Sequence, residues 1–286
     1  MLRFVPEEAA LTIETKESKI LVVPDLHLGF EKVLADRGIN IPSQTDKIFE
    51  RLAKLIQSYR PDSLIFLGDI KHGTSKILPH EWAEIPAFFE RLLRLVGVIS
   101  IIPGNHDGGL KPLLPAQVSL ERAEGLIVRD GRKLISMIHG HAWPNPEAFS
   151  SNFLIMGHHH FTFSLFDPSG LRFQQPIWLT CSWNRRRIAD SYLKYKKIGP
   201  SSNPLRRFER TFGYAVGEPK IIVMPTFNPM LGGASINIQR DHEHLGPFFK
   251  PGLMKLDSSE VYMLDGTYLG KLSLLLRRVR ASAGIS

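Results

Sequence analysis

The sequence predicts an α/β fold built on a mostly parallel sheet, and three observations carry that prediction. Over residues 20–102, apolar β-type runs alternate with amphipathic helical patterns, the order that produces parallel crossovers with helices on the faces of a sheet. After Asp107 the pattern changes to short β-type runs separated by turn residues, so the second half is β-rich. Four strand-like runs end in metal-ligating residue types: Asp25-Leu26-His27, Gly68-Asp69, Gly104-Asn105-His106-Asp107 and Gly157-His158-His159-His160. Loops at the C-terminal ends of parallel strands are the natural site of such a sheet, so the fold also predicts where its chemistry lies.

Leu11-Thr12-Ile13 and Ile20-Leu21-Val22-Val23, parted by Lys16-Glu17-Ser18-Lys19, read as a hairpin whose second strand is buried and central. Pro24 ends that strand and starts the loop holding Asp25 and His27. From Ser43, a candidate N-cap, the residues Ile48, Leu52, Leu55, Ile56 and Tyr59 share one helical face that stops before Pro61. Ser63 to Leu67 is the next strand. Trp82, Ile85, Phe89, Leu92 and Val96 mark a second amphipathic helix, with Pro86 expected to open its regular part. The β-branched run Val98 to Ile102 then leads into Pro103-Gly104, a turn that brings Asn105, His106 and Asp107 to one rim. Further strands are predicted at 117–120, 126–128, 134–138, 153–156, 161–166, 171–179, 220–224, 261–264 and 268–276. Asp130-Gly131 and Asp167-Pro168-Ser169-Gly170 are the turns between them. No repeat or long linker divides the chain, which reads as a single domain over residues 1–286 with an insert at about 183–218.

With 286 residues, 43% of them hydrophobic, the chain is able to bury a sizeable core. The apolar stretch from Leu92 to Ile102 is too short for a membrane span and is broken by Arg94, Gly97 and Ser100. Glu7, Glu8 and Glu14 break the basic-then-apolar order of a secretory signal. Both features favour a cytoplasmic protein with no membrane partner. The single cysteine, Cys181, excludes an internal disulfide framework and a Cys-rich zinc site, and reads as a small buried apolar residue. The net charge of +8 favours an anionic partner. Nine basic residues and two acidic ones lie between Arg185 and Arg210, so most of that charge is in the insert. Arg185, Arg186 and Arg187 are the candidate nucleic-acid contacts there, with Trp183, Tyr192, Tyr195 and Phe208 as candidate stacking residues. The competing reading is a solvated, partly disordered loop. Gly199-Pro200-Ser201-Ser202-Asn203-Pro204 divides the insert into a helix and a flexible piece.

A pair of hydrolytic divalent cations, about 3.5–4 Å apart, needs a shared anionic oxygen and further ligands on each side. Asp25 and His27, two apart in extended chain, would point to one side of their loop. Asp69 follows a glycine that permits close backbone approach, and is the best candidate for the shared carboxylate. Asn105 offers a carbonyl oxygen, and His139, His158 and His160 offer imidazole nitrogens. Among the other histidines, His72 reads as a supporting or surface residue and His159 as packing or solvated. For His141 a place in a phosphate pocket and a bystander role stand level, while His80, His242 and His244 receive no role.

Taken in order, Asp25-x-His27, Gly68-Asp69, Gly104-Asn105-His106-Asp107, His139-Gly140 and Gly157-His158-x-His160 resemble the five motifs of the calcineurin-like metallophosphoesterases. The resemblance spans residues 20–160 and implies a four-layer α/β/β/α sandwich. It implies one metal on Asp25, His27, Asp69 and His160, and another on Asp69, Asn105, His139 and His158. His106 matches the family's non-ligand histidine. Two dications would lower the pKa of a bridging water, giving a hydroxide that attacks phosphorus in line. His106 would then donate to the leaving oxygen, with Asp107 holding its tautomer. The family often has an acidic residue three after the aspartate matched by Asp69, whereas here Lys71-His72 follows Ile70.

Gly68-Asp69-Ile70-Lys71-His72, Pro225-x-Phe227-Asn228-Pro229 and Leu264-Asp265-Gly266-Thr267 are similar to a narrower group, the SbcD-related phosphoesterases common in archaea. These in turn are similar to bacterial phosphoesterases encoded beside DNA ligase and Lhr-type helicases. The narrower resemblance implies a manganese-dependent phosphodiesterase, a nuclease acting on DNA or RNA or an enzyme acting on a nucleotide diester. It also implies a place in DNA repair and a helicase partner of the Lhr type. A His/Asp/Asn set also accepts Fe, Zn, Co or Ni. The rival readings are a small-molecule phosphomonoesterase or nucleotidase, and a scaffold without turnover that binds a helicase or nucleic acid. The complete ligand set and the presence of His106 weigh against the scaffold.

Overall fold

Six short strands of the first half assemble because their apolar runs are bounded by turn residues and spaced by two long amphipathic helices. The computed structural model describes residues 1–74, 76–167, 169–238 and 246–276, so His242, His244 and Pro168 lie outside the described residues. The described chain forms two compact units, the first from Met1–Ala123 with Thr226–Leu231 and the second from Glu124–Pro225 with the residues after Leu231.

In the first unit β1 (Leu2–Phe4), β2 (Leu11–Glu14), β3 (Lys19–Val23), β4 (Ser63–Phe66), β5 (Val98–Ile101) and β6 (Val118–Leu120) lie side by side in sequence order. β1 to β3 are antiparallel, and β3 to β6 are parallel. Leu21, Val22, Val23, Leu64, Phe66 and Ile101 are fully buried, as central parallel strands require. The crossovers hold α1 (Phe30–Ala35), α2 (Thr45–Tyr59) and α3 (Glu81–Leu93). α2 buries Ile48, Leu52, Leu55 and Ile56, and stops at Arg60, whose left-handed N–H donates to Ile56 O. Its N-cap is Gln44, one residue later than expected, and the Ser43 hydroxyl accepts instead from Thr45 N at 3.3 Å.

α3 does not begin at Pro86, as the sequence suggested, but runs through it from Glu81. Ala83 N and Glu84 N both donate to His80 O, which starts the helix upstream, and Pro86, having no N–H, makes no helical bond to Trp82 O. Trp82 is 54% exposed and so lies off the apolar face expected of it; Phe88 fills that face with Ile85, Phe89 and Leu92.

The second unit contains β7 (Leu126–Asp130), β8 (Lys133–Ile138), β9 (Phe153–Met156), β10 (Thr162–Phe166), β11 (Arg172–Cys181), β12 (Lys220–Val223), β13 (Glu260–Met263) and β14 (Tyr268–Lys271). Their order is β14-β13-β11-β12-β9-β8-β7, with β10 paired to β11 off this path. β8, β9 and β12 are parallel, so the loops after β8 and β9 leave the sheet at the same end. β14 stops at Lys271, and residues 272–276 are helical rather than the strand expected there. Leu272 and Leu275 are both buried, a spacing that fits one helix face and not a strand alternation.

Between β11 and β12 lie α4 (Arg185–Tyr195) and α5 (Pro204–Phe212), so the piece after Gly199 that was expected to be flexible is a second helix. Asn184 and Asn203 cap the two helices, accepting from Arg187 N and Arg206 N. The aromatic residues of the insert differ from the stacking surface expected of them: Trp183, Tyr192 and Phe208 do not face solvent but pack with Trp143 and Phe149 in the core. Only Tyr195, 56% exposed, remains available for stacking. The chain is therefore mixed α/β, with two sheets flanked by helices. No helix among the described residues is long and apolar enough to cross a membrane.

Candidate metal centre

The strand ends are built from backbone that few side chains tolerate. Eight described non-glycine residues have a left-handed φ, and five of them are Asp25 (50°), His27 (42°), Asp69 (49°), His158 (70°) and His160 (44°). Such a conformation costs a residue on the order of 1–3 kcal/mol and persists only where surrounding structure enforces it. Asp25 and His27 are thus not neighbours on one side of an extended chain, as alternation suggested. Each leaves the line of β3 through a left-handed turn.

In the first unit the loop after β3 is held on both sides. Along β4 the ladder continues past the strands, with Asp25 N donating to Gly68 O (3.2 Å), His27 N to Asp69 O (2.8 Å) and Leu28 N to Ile70 O (2.8 Å). From the other side Thr226 Oγ1 donates to Asp25 O (3.1 Å) and the buried Asn228 Nδ2 to Leu26 O (2.9 Å). Phe227 N donates to Pro24 O (3.3 Å), and Arg51 Nη1 holds Phe227 O at 2.9 Å. Pro225-x-Phe227-Asn228-Pro229 therefore pins the Asp25 loop, a role its sequence alone did not show.

The loop after β5 closes on Asp69. A methyl group on Gly104 would lie 2.1 Å from Asp69 Oδ1, so only glycine fits, and His106 N donates to that same oxygen at 2.9 Å. Asp69 Oδ2 lies 3.3 Å from His27 Nε2, with both side chains buried. Ligand atoms of Asp25 and His27 lie within 4.8 Å of each other. Asn105 is exposed at the rim of the same turn.

Asp107 is buried in the turn after β5. Its carboxylate accepts from Gly104 N (2.8 Å), Ile70 N (2.8 Å) and Lys71 N (3.4 Å), tying the loops after β4 and β5 together. The His72 carbonyl lies 2.6 Å from Nδ1 of the His106 ring. A carbonyl only accepts, so Nδ1 of His106 is the donor of this hydrogen bond.

In the second unit His139 follows β8 and His158 follows β9, with Gly157 N donating to His139 O at 2.9 Å. His139 Nε2 and His158 Nδ1 are 3.0 Å apart. A Cβ on Gly140 (φ 126°) would sit 3.2 Å from the His158 Cβ. His141 stands beside both rings, with centroid separations of 5.2 and 6.1 Å. His159 packs against Phe161 and Phe249, the first of the two alternatives, packing or solvent, that the sequence left for it. Gly233 passes so close to His160 O that an added Cβ would lie 1.6 Å away.

These donors fit a divalent cation. Separations of 3.0 and 3.3 Å between ring nitrogen and ring nitrogen or carboxylate oxygen match two ligands that share one ion at about 2.0–2.2 Å.

Arg185, Arg186 and Arg187 occupy the exposed first turn of α4. Arg185 Nε donates to Val216 O (2.7 Å), Arg186 Nη2 donates to Ser202 O (2.8 Å), and the Arg187 guanidinium lies against Gly252. On α5, Arg206, Arg207 and Arg210 are exposed, with no side-chain hydrogen bond among the described residues.

A model of the calcineurin-like phosphoesterase family matches residues 18–180. No curated protein sequence matches the chain. The solved structures similar to the chain include two of low identity. The crystal structure of Pseudomonas putida nuclease MPE is 15% identical, covering 93% of this chain and 98% of that one, with a TM-score of 0.48. Yfce, a phosphoesterase from E. coli, is 15% identical over 88% of this chain and 96% of its own, with a TM-score of 0.35.

Proposed function

The chain belongs to the calcineurin-like phosphoesterases, hydrolases of phosphoester bonds, and from that membership we propose that it is a divalent-metal-dependent phosphodiesterase acting on DNA, RNA or a nucleotide diester. Its metal ligands in this proposal are Asp25, His27, Asp69, Asn105, His139, His158 and His160. The observation that carries it is the left-handed backbone at five of these seven, a conformation that persists only where surrounding structure enforces it.

Divalent ions bound there would supply Lewis acidity, offsetting charge on the phosphoryl oxygens and acidifying a water to near-neutral pH. His106, with Nδ1 held by the His72 carbonyl, is suited to donate a proton from Nε2 to the departing oxygen. Asp107 serves that step at one remove, by setting the turn from which His106 projects. The charge of α4 and α5 supports a polyanionic substrate. Because Trp183, Tyr192 and Phe208 are buried, it supports contact with phosphates rather than stacking of bases, and hence little sequence preference.

Manganese as the metal, a helicase of the Lhr type as partner and a place in DNA repair rest on the narrower resemblance, and one metallophosphoesterase domain over residues 1–286 rests on a sequence without repeat or long linker. A cytoplasmic setting rests on composition.

The test compares bis- and mono-p-nitrophenyl phosphate, single- and double-stranded DNA, and RNA, with Mn²⁺ and with chelator. We expect Mn²⁺-dependent turnover, the diester hydrolysed faster than the monoester, and nucleic-acid binding that weakens steeply with salt. Replacing Arg206, Arg207 and Arg210 with Gln should flatten the salt slope by about 0.7–0.9 per lost phosphate contact and leave the small diester unaffected. A preference for the monoester would move the assignment to a phosphatase, and no turnover with any metal would leave only the scaffold.

A further inference from the structure

His72, read from the sequence as a supporting or surface residue, is half-buried and touches two residues of the proposed site with different atoms. Its ring Nδ1 lies 3.2 Å from Nδ1 of His27, with the ring centroids 5.2 Å apart. Its carbonyl accepts from Nδ1 of His106 at 2.6 Å. The residue is itself well fixed: His72 N donates to Leu28 O at 3.1 Å, Lys71 bridges Leu28, and the ring stacks on His106 and meets Phe30 edge-on.

His27 presents its two nitrogens to different partners. Nε2 faces Asp69 Oδ2 at 3.3 Å, and Nδ1 faces His72. A neutral imidazole that ligates through Nε2 carries its proton on Nδ1, and that N–H requires an acceptor. His27 is buried, so the acceptor has to come from the protein. We propose that His72 is a positioning residue of the metal centre: its Nδ1 accepts the Nδ1–H of His27 and fixes the tautomer and ring plane in which His27 Nε2 ligates, while its carbonyl fixes His106. This rests on the reading of His27 as a ligand. Metal-binding histidines commonly donate their outer N–H to a carboxylate or carbonyl, and here an imidazole takes that place.

The competing arrangement is an additional ion held by His27, His72 and His106, whose ligand atoms lie within 4.8 Å of one another. It would require His27 to coordinate through both nitrogens and to give up its ring proton. The hydrogen bond asks for no such loss.

The test uses Mn²⁺ alone and measures affinity and stoichiometry by equilibrium dialysis, with thermal melts as a check on folding. His72→Phe keeps the carbonyl and ring shape but removes the acceptor; His72→Asn restores an acceptor, Oδ1, near the position of Nδ1. We expect Mn²⁺ affinity to fall about 10- to 100-fold in the Phe variant, to recover largely in the Asn variant, and stoichiometry to stay constant. In the unmutated protein loaded with diamagnetic Zn²⁺, long-range ¹H–¹⁵N spectra should place the His27 proton on Nδ1, a readout that needs no variant to fold. Unchanged affinity in the Phe variant, or a His27 proton on Nε2, would overturn the proposal. Loss of one equivalent of metal in both variants would overturn it in favour of His72 as a ligand. Failure of the unmutated protein to bind Mn²⁺ or Zn²⁺ would remove the metallophosphoesterase reading and this inference with it.

Discussion

Asp69 meets three demands at once: a left-handed backbone, a hydrogen bond from His106 N to Oδ1, and an Oδ2 that faces His27 Nε2. Asparagine tolerates the left-handed region better than other non-glycine residues and keeps one side-chain oxygen, so Asp69→Asn should fold. It cannot supply the anionic oxygen. We expect it to lose bound metal and diester hydrolysis together while its melting temperature without metal stays near that of the unmutated protein. His106→Ala should behave differently, because His106 is held by a carbonyl and is not a proposed ligand. Metal content should be retained and the rate should fall about 10²- to 10⁴-fold. Parallel metal analysis and kinetics on the two variants separate ligand from acid, and an undiminished rate in the His106 variant would remove the acid role. Asp69 and His106 could be singled out in the sequence as candidates because the chemistry demands particular residue types at strand ends. The contacts of His72 and Asn228 were not, because both partner residues distant in the chain and neither residue type is diagnostic by itself.

Among the elements, the connection from β4 to α3 carries Asp69 and His72 and rests on a buried ion pair. Lys71 and Glu81 are both buried, 4.0 Å apart, with Lys71 Nζ also donating to Gly73 O and Glu81 Oε2 accepting from Leu78 N at 2.8 Å. Removing one member leaves a buried charge uncompensated, which costs about 3–5 kcal/mol, whereas replacing both with apolar residues of similar volume is often neutral. Glu81→Ala should therefore lower the urea midpoint substantially, and Lys71→Met combined with Glu81→Leu should recover most of the loss. Equal midpoints for Glu81→Ala and the unmutated protein would show that the pair is not what holds this connection. The sequence located α3 but misplaced its start, since a proline six residues into a helix looks like an N-terminus when the capping residues upstream carry no strong signal. It also could not tell the two faces of α4 and α5 apart. Aromatic residues interleaved with arginine suit either a stacking surface or an amphipathic helix, and burial of Tyr192 and Phe208 against Phe149 decides for the second.

For the molecule as a whole, the alternation of strand and helix up to residue 102 and the β-rich remainder were readable because periodicity is a local property; pairing is not. β6 was predicted as a strand of the second half, yet it completes the first sheet beside β5. Cys181 at the end of β11 gives a solution measurement of how tightly the second unit closes. Burial pushes its thiol from the ordinary 9.0 up to about 12. Only the thiolate is an effective nucleophile, so at pH 8 an aromatic disulfide reagent should label the native protein far more slowly than the urea-unfolded chain. The labelled fraction should rise with the unfolding transition. The same shift has a consequence for stability. Between the two values the unfolded chain releases a proton that the folded chain keeps, so stability contributed by the buried neutral thiol is complete below pH 9 and declines as pH rises toward 12. Tyr192 and Tyr262, both also raised to about 12, add to any loss at high pH, so the comparison must be differential. Urea unfolding at pH 8 and at pH 10.5 should show the unmutated protein losing more stability than Cys181→Ala, by no more than about 1.4 kcal/mol for each pH unit above the unfolded value. Identical losses in the two proteins, together with rapid labelling at pH 8, would mean that the end of β11 opens to solvent far more readily than its packing against β12 and β13 allows.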